Sequence, residues 1–409
     1  MRRFLALLLL AAPLRAEPGL PPEAAVAEAL DNHPSVLAAR ARIGTARAVA
    51  RGLAVGPQEF VAQGTIQRRD VRGVGNVGEY DFQLSRPIRL PGKGALDRRA
   101  GEAGVMAADN RADDVRHQTA LLLAEHWWNW MGASAEARTL ESAAGILAQA
   151  VAATGRRLAL RDASALELDQ AQAAEAAARA AAMGAAARAR AERAALAATF
   201  PGLVLPEMPP PLPEPAIPPE GIARLAELVV ERSHEIGASA ADRAQADALK
   251  ARAARERTPD PSVGLRTFSE QGGNERGVGL VLSMPLGGRA RAAAADAAAA
   301  NARSADAELA ATRILVDAVA AEDAALASGY LAAWEQARAA AEASAAAAER
   351  QRKGHALGAV DLADRLMSER LARDAALDEV KARTAALMAI TQLRIDSHTL
   401  WMHAEADAP

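Results

Sequence analysis

Seven histidines are the side chains best able to bind a metal or transfer a proton, because imidazole does both near neutral pH. They are His33, His117, His126, His234, His355, His398 and His403. No metal-site spacing is present, since His398 and His403 are five residues apart and no HExxH occurs. The sequence also lacks a GxSxG motif, a phosphate loop and a dinucleotide-binding fingerprint. It therefore predicts a protein that is not an enzyme, without catalytic, cofactor-binding or metal-binding residues, and gives the histidines structural or surface roles.

Two short polar turns between predicted long helices are the next candidates. The first runs from Arg161 and Asp162 to Ser164, and the second runs from Gly358 to Asp361, with Asp364 soon after. Ser and Asp at these positions can accept hydrogen bonds from the free amides that begin the following helix. In a plain coiled coil such turns are only caps. If the helices form a tube, the turns are also its mouth.

These turns belong to an internal duplication. Leu84-Ser85-Arg86-Pro87-Ile88 followed by Gly92-Lys93 recurs as Leu282-Ser283-Met284-Pro285-Leu286 followed by Gly288-Arg289. Chance matching of alanine-rich text is the alternative, but these Leu-Ser-x-Pro segments are not alanine-rich. We therefore expect a first repeat over 17–200, a Pro-rich linker over 201–220, a second repeat over 221–402 and a C-terminal tail over 403–409.

Each repeat contains one segment with the period-two alternation of a β-hairpin. The first hairpin is predicted at about 57–90, with its turn at Gly73-Val74-Gly75-Asn76, and the second at about 259–287, with its turn at Gln271-Gly272-Gly273-Asn274. An isolated hairpin is barely stable without further strands. Because each hairpin sits alone between very long predicted helices, its strands are expected to complete a sheet supplied by other subunits.

Helical periodicity covers most of the remaining sequence. The predicted helices are 22–53, 94–155, 164–198, 221–257, 290–353 and 360–401. Aromatic residues make up only 3% of the chain and alanine dominates, which favours thin, closely packed helices over a thick globular core.

The N-terminus predicts export. Residues 1–16 contain Arg2-Arg3, an apolar run from Phe4 to Ala12 and Pro13, which together predict a secretory signal peptide. The apolar run is too short for a membrane anchor, which needs roughly 20 residues. The chain has no cysteine, so disulfides do not stabilise it, and its net charge of −3 argues against a nucleic-acid partner.

The assembled features resemble the TolC family of outer membrane efflux proteins over essentially the whole mature chain. The resemblance rests on the duplicated exported architecture, on the Leu-Ser-x-Pro segments that lead into Gly-Lys or Gly-Arg, and on the tip segment Gly358-Ala359-Val360-Asp361-Leu362-Ala363-Asp364-Arg365-Leu366. The Arg86-Pro87-Ile88-Arg89-Leu90-Pro91-Gly92-Lys93 stretch is similar to the heavy-metal (cobalt-zinc-cadmium) efflux branch. The sequence departs from the family at Arg161, where the family usually has glycine.

The resemblance implies a mainly α fold with a small membrane β part. Long antiparallel helices of a homotrimer would form a periplasmic α-barrel, and two hairpins per subunit would complete a 12-stranded β-barrel in the outer membrane of a Gram-negative bacterium. The strand residues implied to face lipid are Tyr80, Phe82, Leu84, Val278, Leu280 and Leu282.

The implied function is a passive duct without a cofactor. It would export substrates that an inner membrane pump passes on through a periplasmic adaptor, and the resemblance to the heavy-metal branch implies heavy-metal cations among them. The tip residues implied to meet the adaptor or line the entrance are Arg161, Asp162, Ser164, Gly358, Asp361 and Asp364. A periplasmic coiled-coil adaptor and a structural helical protein without a channel are the alternatives.

Overall fold

The computed structural model describes residues 18–402, and the predicted signal peptide and C-terminal tail lie outside the described residues. The order of elements in the first half is repeated in the second. The first half contains α1 (Glu23–Asp31), α2 (Pro34–Val55), β1 (Val61–Val71), β2 (Gly75–Pro87), α3 (Lys93–Ala159) and α4 (Ala165–Thr199). The second half contains α5 (Ile222–Glu231), α6 (His234–Glu256), β3 (Ser262–Glu270), β4 (Glu275–Ser283), α7 (Arg289–Ala356) and α8 (Leu362–Asp396).

The chain divides into two compact units that do not coincide with the repeats. The helical unit contains the described residues up to 36, residues 116–232 and the described residues from 318 onward. The sheet unit contains residues 37–115 and 233–317. Each repeat therefore contributes to both units.

The helix that precedes each hairpin is broken, so the single helices predicted over 22–53 and 221–257 are wrong. In the first repeat the break lies before Pro34, because a residue that precedes proline disfavours the helical conformation while proline fits the first helical position. In the second repeat Ser233 caps α6, and its Oγ accepts a hydrogen bond from the Ile236 amide at 3.1 Å. Different local chemistry thus produces the same break in both repeats.

The two hairpins form one sheet, which corrects the expectation that each sits alone. The strand order is β1-β2-β3-β4, and all three pairings are antiparallel. The β2–β3 pairing joins the repeats, with Leu84 opposite Leu265. Such a long-range pairing has no signal in the local alternation from which the hairpins are predicted.

Long helices follow each hairpin. The α3 helix has 67 residues and the α7 helix has 68. Small residues allow close packing in the sheet unit: a Cβ atom added to Gly101 would lie 2.9 Å from Ala50 Cα. None of the helices within residues 18–402 has both the length and the apolar character needed to cross a membrane.

A large-residue core lies in the helical unit. Trp127, Trp128 and Trp130 are buried there with Phe200 and Trp401. The Trp128 indole donates a hydrogen bond to Thr391 Oγ1 at 2.9 Å, so its polar group stays satisfied inside the core. The Pro-rich linker has no helix or strand, but it buries Leu203 and Leu212 in this same core.

Candidate functional site

The sheet exposes its apolar side chains, and on strand β2 the polar side chains between them are less exposed than the apolar ones. Leu280 is 83% exposed and Tyr80 is 41% exposed, whereas Asp81 and Gln83 are half-buried and Glu79 is only 5% exposed. A sheet of a water-soluble domain packs its apolar face on a core and turns its polar face to water. The distribution on β2 is reversed.

The six strand residues selected from the sequence all lie on this exposed apolar face. Directly opposed residues of antiparallel strands share a face. Leu84 is opposite Leu265, which is opposite Leu280, and Phe82 connects in the same way through Thr267 to Val278. Tyr80 and Leu282 are two residues further along the same strands, so they share the face as well. The result is one apolar surface that runs across all four strands.

The opposite face carries paired charges. The carboxylate of Glu79 accepts a hydrogen bond from Gln67 Nε2 at 2.8 Å and forms an ion pair with Arg69 at 2.6 Å. Arg266 forms an ion pair with Asp81 across β2 and β3. These polar groups suit a face that borders water, since lipid would leave them without hydration.

A buried cation lies where the first hairpin meets α3. Lys93 is only 1% exposed, and its Nζ donates to Asp260 Oδ1 at 2.7 Å and to the Thr258 carbonyl at 2.8 Å, with Glu256 at 3.0 Å. Burial alone would raise the pKa of Asp260, but the hydrogen bonds from Lys93 and from the Leu90 amide lower it. Sequence reasoning used the Gly-Lys motif as a landmark of the duplication and of the family resemblance, but it missed that Lys93 ties the first repeat to the second.

The six tip residues selected from the sequence are all exposed in the helical unit. Ser164 Oγ accepts from the Glu167 amide at 3.1 Å, and the Ser164 amide donates to Glu167 Oε2 at 2.6 Å, which forms a complete capping box. The hydrogen bond from the Ser164 amide, followed by one that Ser164 Oγ donates to Glu167 Oε2 at 3.0 Å, lowers the pKa of the Glu167 carboxyl. At the second tip Asp361 Oδ1 accepts from the Asp364 amide at 2.8 Å.

The two tips touch one another through Arg157. Its Nε donates to Asp162 Oδ2 at 2.9 Å, and its Nη1 lies 3.4 Å from His355 Nε2. The His355 Nδ1 atom lies 3.0 Å from the Val360 carbonyl oxygen. A chain of polar contacts therefore links both turns, so they present one joint surface.

Arg161 adopts the same backbone conformation as its glycine counterpart. Its φ is +61°, and that of Gly358 is +75°. In both turns the next amide returns to the last helical turn, from Asp162 to the Arg157 carbonyl at 2.8 Å and from Ala359 to the Gly354 carbonyl at 2.9 Å. The turn geometry is thus preserved at the position where the sequence departs from the family.

A groove of about 870 Å³ lies above the tips in the helical unit, between the pairs α3/α4 and α7/α8. Its lining combines arginines with the apolar side chains of Ile146, Leu366 and Met367. Glu369 forms part of the groove wall, and its Oε1 lies 3.0 Å from Arg352 Nε. Burial raises the pKa of Glu369. The groove has the mixed apolar and charged lining of a surface that binds an amphipathic partner.

Four titratable side chains meet inside the helical unit, and sequence reasoning missed this cluster. His117 Nε2 lies 2.7 Å from Asp396 Oδ1, and His117 Nδ1 lies 3.2 Å from His398 Nε2. Asp323 contacts Asp396 and accepts a hydrogen bond from Gln392 at 2.9 Å. Burial, followed by the contact with Asp396, raises the pKa of Asp323 to about 8. The Asp323 carboxyl group therefore holds a proton at neutral pH.

Residues 18–402 contain no group of three His, Cys, Asp or Glu side chains arranged to hold a metal ion. His403 lies outside that range. Within the described chain the candidate surfaces are therefore the apolar sheet face and the joined tips.

No protein-family model and no curated protein sequence matches the chain. Solved structures do match. The outer membrane protein VceC of Vibrio cholerae is similar with a TM-score of 0.75 and 16% identity, over 91% of this chain and 95% of VceC. The CmeC outer membrane channel of Campylobacter jejuni is similar with a TM-score of 0.70 and 16% identity, over 92% of this chain and 85% of CmeC. CusC, described for its transmembrane channel formation, is similar with a TM-score of 0.69 and 16% identity, over 92% of this chain and 91% of CusC.

The chain has the fold of these outer membrane channels. The resemblance to the TolC family is confirmed at the level of the fold. The coarse fold class, mainly helical with long helices and a small sheet, is confirmed as well.

The left-handed backbone of Arg161 predicts that glycine is better at this position. A non-glycine residue in this conformation costs about 1 kcal/mol. We expect Arg161→Gly to raise the free energy of unfolding by about that amount and Gly358→Arg to lower it by a similar amount, as measured by thermal unfolding in detergent. If Arg161→Gly instead lowers the free energy of unfolding, the contacts of the arginine side chain stabilise the tip by more than its left-handed backbone conformation costs.

The raised pKa of Asp323 predicts a specific pH dependence. Between its ordinary pKa of 3.8 and about 8 the native state holds a proton that the unfolded chain has released, so stability falls as pH rises through this range. Asp323→Asn removes a slope of up to ~1.4 kcal/mol per pH unit, so the variant should gain stability over the parent towards pH 8. Unfolding midpoints from pH 5 to 8 measure this. Asp317→Asn, which alters an exposed carboxylate of the same helix, is the control and should match the parent.

Proposed function

We propose that the chain is the outer membrane channel of a tripartite efflux system, a passive duct that receives substrate from an inner membrane pump through a periplasmic adaptor. The observation that carries the proposal is the sheet, whose apolar face is exposed and whose opposite face carries the ion pairs Arg69–Glu79 and Arg266–Asp81. Lipid is the surrounding that suits such an apolar face, and a water-filled lumen suits the ion pairs on the other side. The similarity to solved outer membrane channels supports the same function.

The active assembly is a homotrimer in this proposal. Strands β1 and β4 are the edges of the four-stranded sheet, and exposed edges cannot face hydrocarbon without partners. Three copies together supply 12 strands, which suffice for a closed barrel. The lipid-facing residues are then Tyr80, Phe82, Leu84, Val278, Leu280 and Leu282, and most of the remaining chain lies in the periplasm.

The joined tips are the proposed entrance and adaptor contact. All six selected tip residues are exposed, and they include the carboxylates of Asp361 and Asp364 as well as Asp162, which Arg157 pairs. Carboxylates at a narrow mouth would favour cations over anions. The groove near Glu369 offers the adaptor a second, more apolar contact.

The two alternative functions explain the structure less well. A periplasmic adaptor would have one coiled-coil hairpin inserted between β-rich halves, whereas this chain has two such hairpins, α3/α4 and α7/α8. A purely structural helical protein would have no use for an amphipathic sheet with its apolar face exposed. Neither alternative provides an environment for that face.

The heavy-metal subgroup remains a proposal that rests on the resemblance of the segment from Arg86 to Lys93. Lys93 is buried against Asp260, which gives the lysine of this segment an architectural role without any contact with a substrate. Deletion of the gene should lower the tolerance of cells for zinc, cobalt or cadmium if the subgroup is right. Unchanged tolerance would count against it.

Membrane fractionation combined with electrophoresis of unboiled samples tests the channel proposal. The full chain should be found in the outer membrane fraction and should migrate as a trimer that boiling converts to a monomer. The same membranes solubilised and boiled are the matched control. A monomer in the soluble periplasm would contradict the proposal.

A further inference from the structure

The internal repeat relates the two hairpins residue by residue. Val61 and Ser262 are the first residues of β1 and β3, so Ala62 corresponds to Val263, and the Leu-Ser-x-Pro segments make Leu84 correspond to Leu282. In the first hairpin Ala62 is opposite Leu84, and in the second Val263 is opposite Leu282. The two hairpins therefore have the same internal register, so each residue of the first hairpin's strands has a counterpart in the second.

The join between the repeats has two components in one chain. Strand β2 pairs with β3, with Leu84 opposite Leu265. Beside this pairing, Lys93, the first residue of α3, forms a buried ion pair with Asp260, which lies two residues before β3. The strand pairing and the ion pair thus lie side by side, where a strand of the first repeat pairs with a strand of the second.

The same two components are present but unused at the outer edges. Arg289 is the first residue of α7 and corresponds to Lys93, while Glu59 lies two residues before β1 and corresponds to Asp260. Both side chains are exposed, and neither has a hydrogen bond or ion pair with another side chain within residues 18–402. Their charges have the same signs as those of Lys93 and Asp260. The edge strands β1 and β4 thus have the residues for a second strand pairing and a second ion pair of the same kind, but within one copy they do not pair with each other.

We propose that β4 of one copy pairs with β1 of the next copy in the register of the β2–β3 join, and that Arg289 of the first copy binds Glu59 of the second. This inference rests on the trimer of the proposed function. Repeating the Leu84–Leu265 pairing at the outer edge places Leu282 opposite Gly64 of the neighbouring copy, and Leu280 opposite Ile66.

The hydrophobic pattern supports this register independently. Leu280 and Ile66 both lie on the apolar face of the sheet. A slip of one residue would place Leu280 opposite Thr65 or Gln67, which lie on the polar face. Such a slip would turn one copy's apolar face towards the lumen, so the pattern disfavours it.

Disulfide cross-linking can read the register directly, because the chain contains no cysteine. Within one copy, β1 and β4 are separated by two strands, so their nearest residues are about 14 Å apart at the usual strand spacing. A disulfide needs Cα atoms within about 7 Å. Any bond between β1 and β4 therefore joins different copies.

The full chain with Ile66→Cys and Leu280→Cys should form oxidised species of two and three times the monomer mass on boiled, non-reducing gels. The matched control combines Ile66→Cys with Val281→Cys, whose side chains point to opposite faces, and should cross-link at least tenfold less. Equal cross-linking in the two variants would overturn the register. So would its absence from the first variant when unboiled gels of the same sample show a trimer. Absence of the trimer itself would instead count against the proposed function.

Charge reversal tests the ion pair separately. Glu59→Arg and Arg289→Glu should each lower the temperature at which the trimer dissociates on gels, because each places like charges together. The double variant restores opposite charges and should regain most of the loss. A double variant that is no more stable than the weaker single variant would overturn the ion pair.

Discussion

An apolar sheet face that one chain leaves exposed is the constraint on which the rest of the structure depends. The sheet has the register of ordinary antiparallel strands, yet Leu280 and its neighbours face outward and Glu79 is shielded. Water would make such a surface unstable, since each exposed leucine forfeits about 1.5–3 kcal/mol of burial. The long helices, the duplicated hairpins and the unpaired edges can all be understood as means of placing this sheet in lipid and closing it.

The duplication determines how closure can occur. One repeat supplies two strands and one buried charge, and the second repeat supplies the partner for both. Lys93 can be buried only because Asp260 and Glu256 compensate its charge, since an unpaired buried ammonium is very costly. In the proposed trimer the edge strands β1 and β4, which have no such partner within one copy, would pair between copies. Closure by copies also removes the edges that lipid cannot tolerate.

Features that depend on local sequence could be predicted, and features that depend on distant contacts could not. The two strand turns and the caps at Ser164 and Asp361 follow from residues within four positions of one another. The β2–β3 pairing, the charge cluster at Lys93 and the contact of His117 with Asp396 join residues more than 150 positions apart. No local periodicity reports such contacts. The helix breaks were an intermediate case, because the signals at Pro34 and Ser233 were present but were outweighed by the helical pattern around them.

The depth of single side chains of β4 in a bilayer tests the central claim most directly. Because the chain has no cysteine, Leu280→Cys, Val281→Cys and Leu282→Cys can each carry one fluorescent label in reconstituted vesicles. Quenchers attached to lipid chains should quench the labels at positions 280 and 282 strongly and the label at 281 weakly. Equal quenching at all three positions, or stronger quenching at 281, would contradict a sheet whose exposed apolar face is the surface that meets lipid.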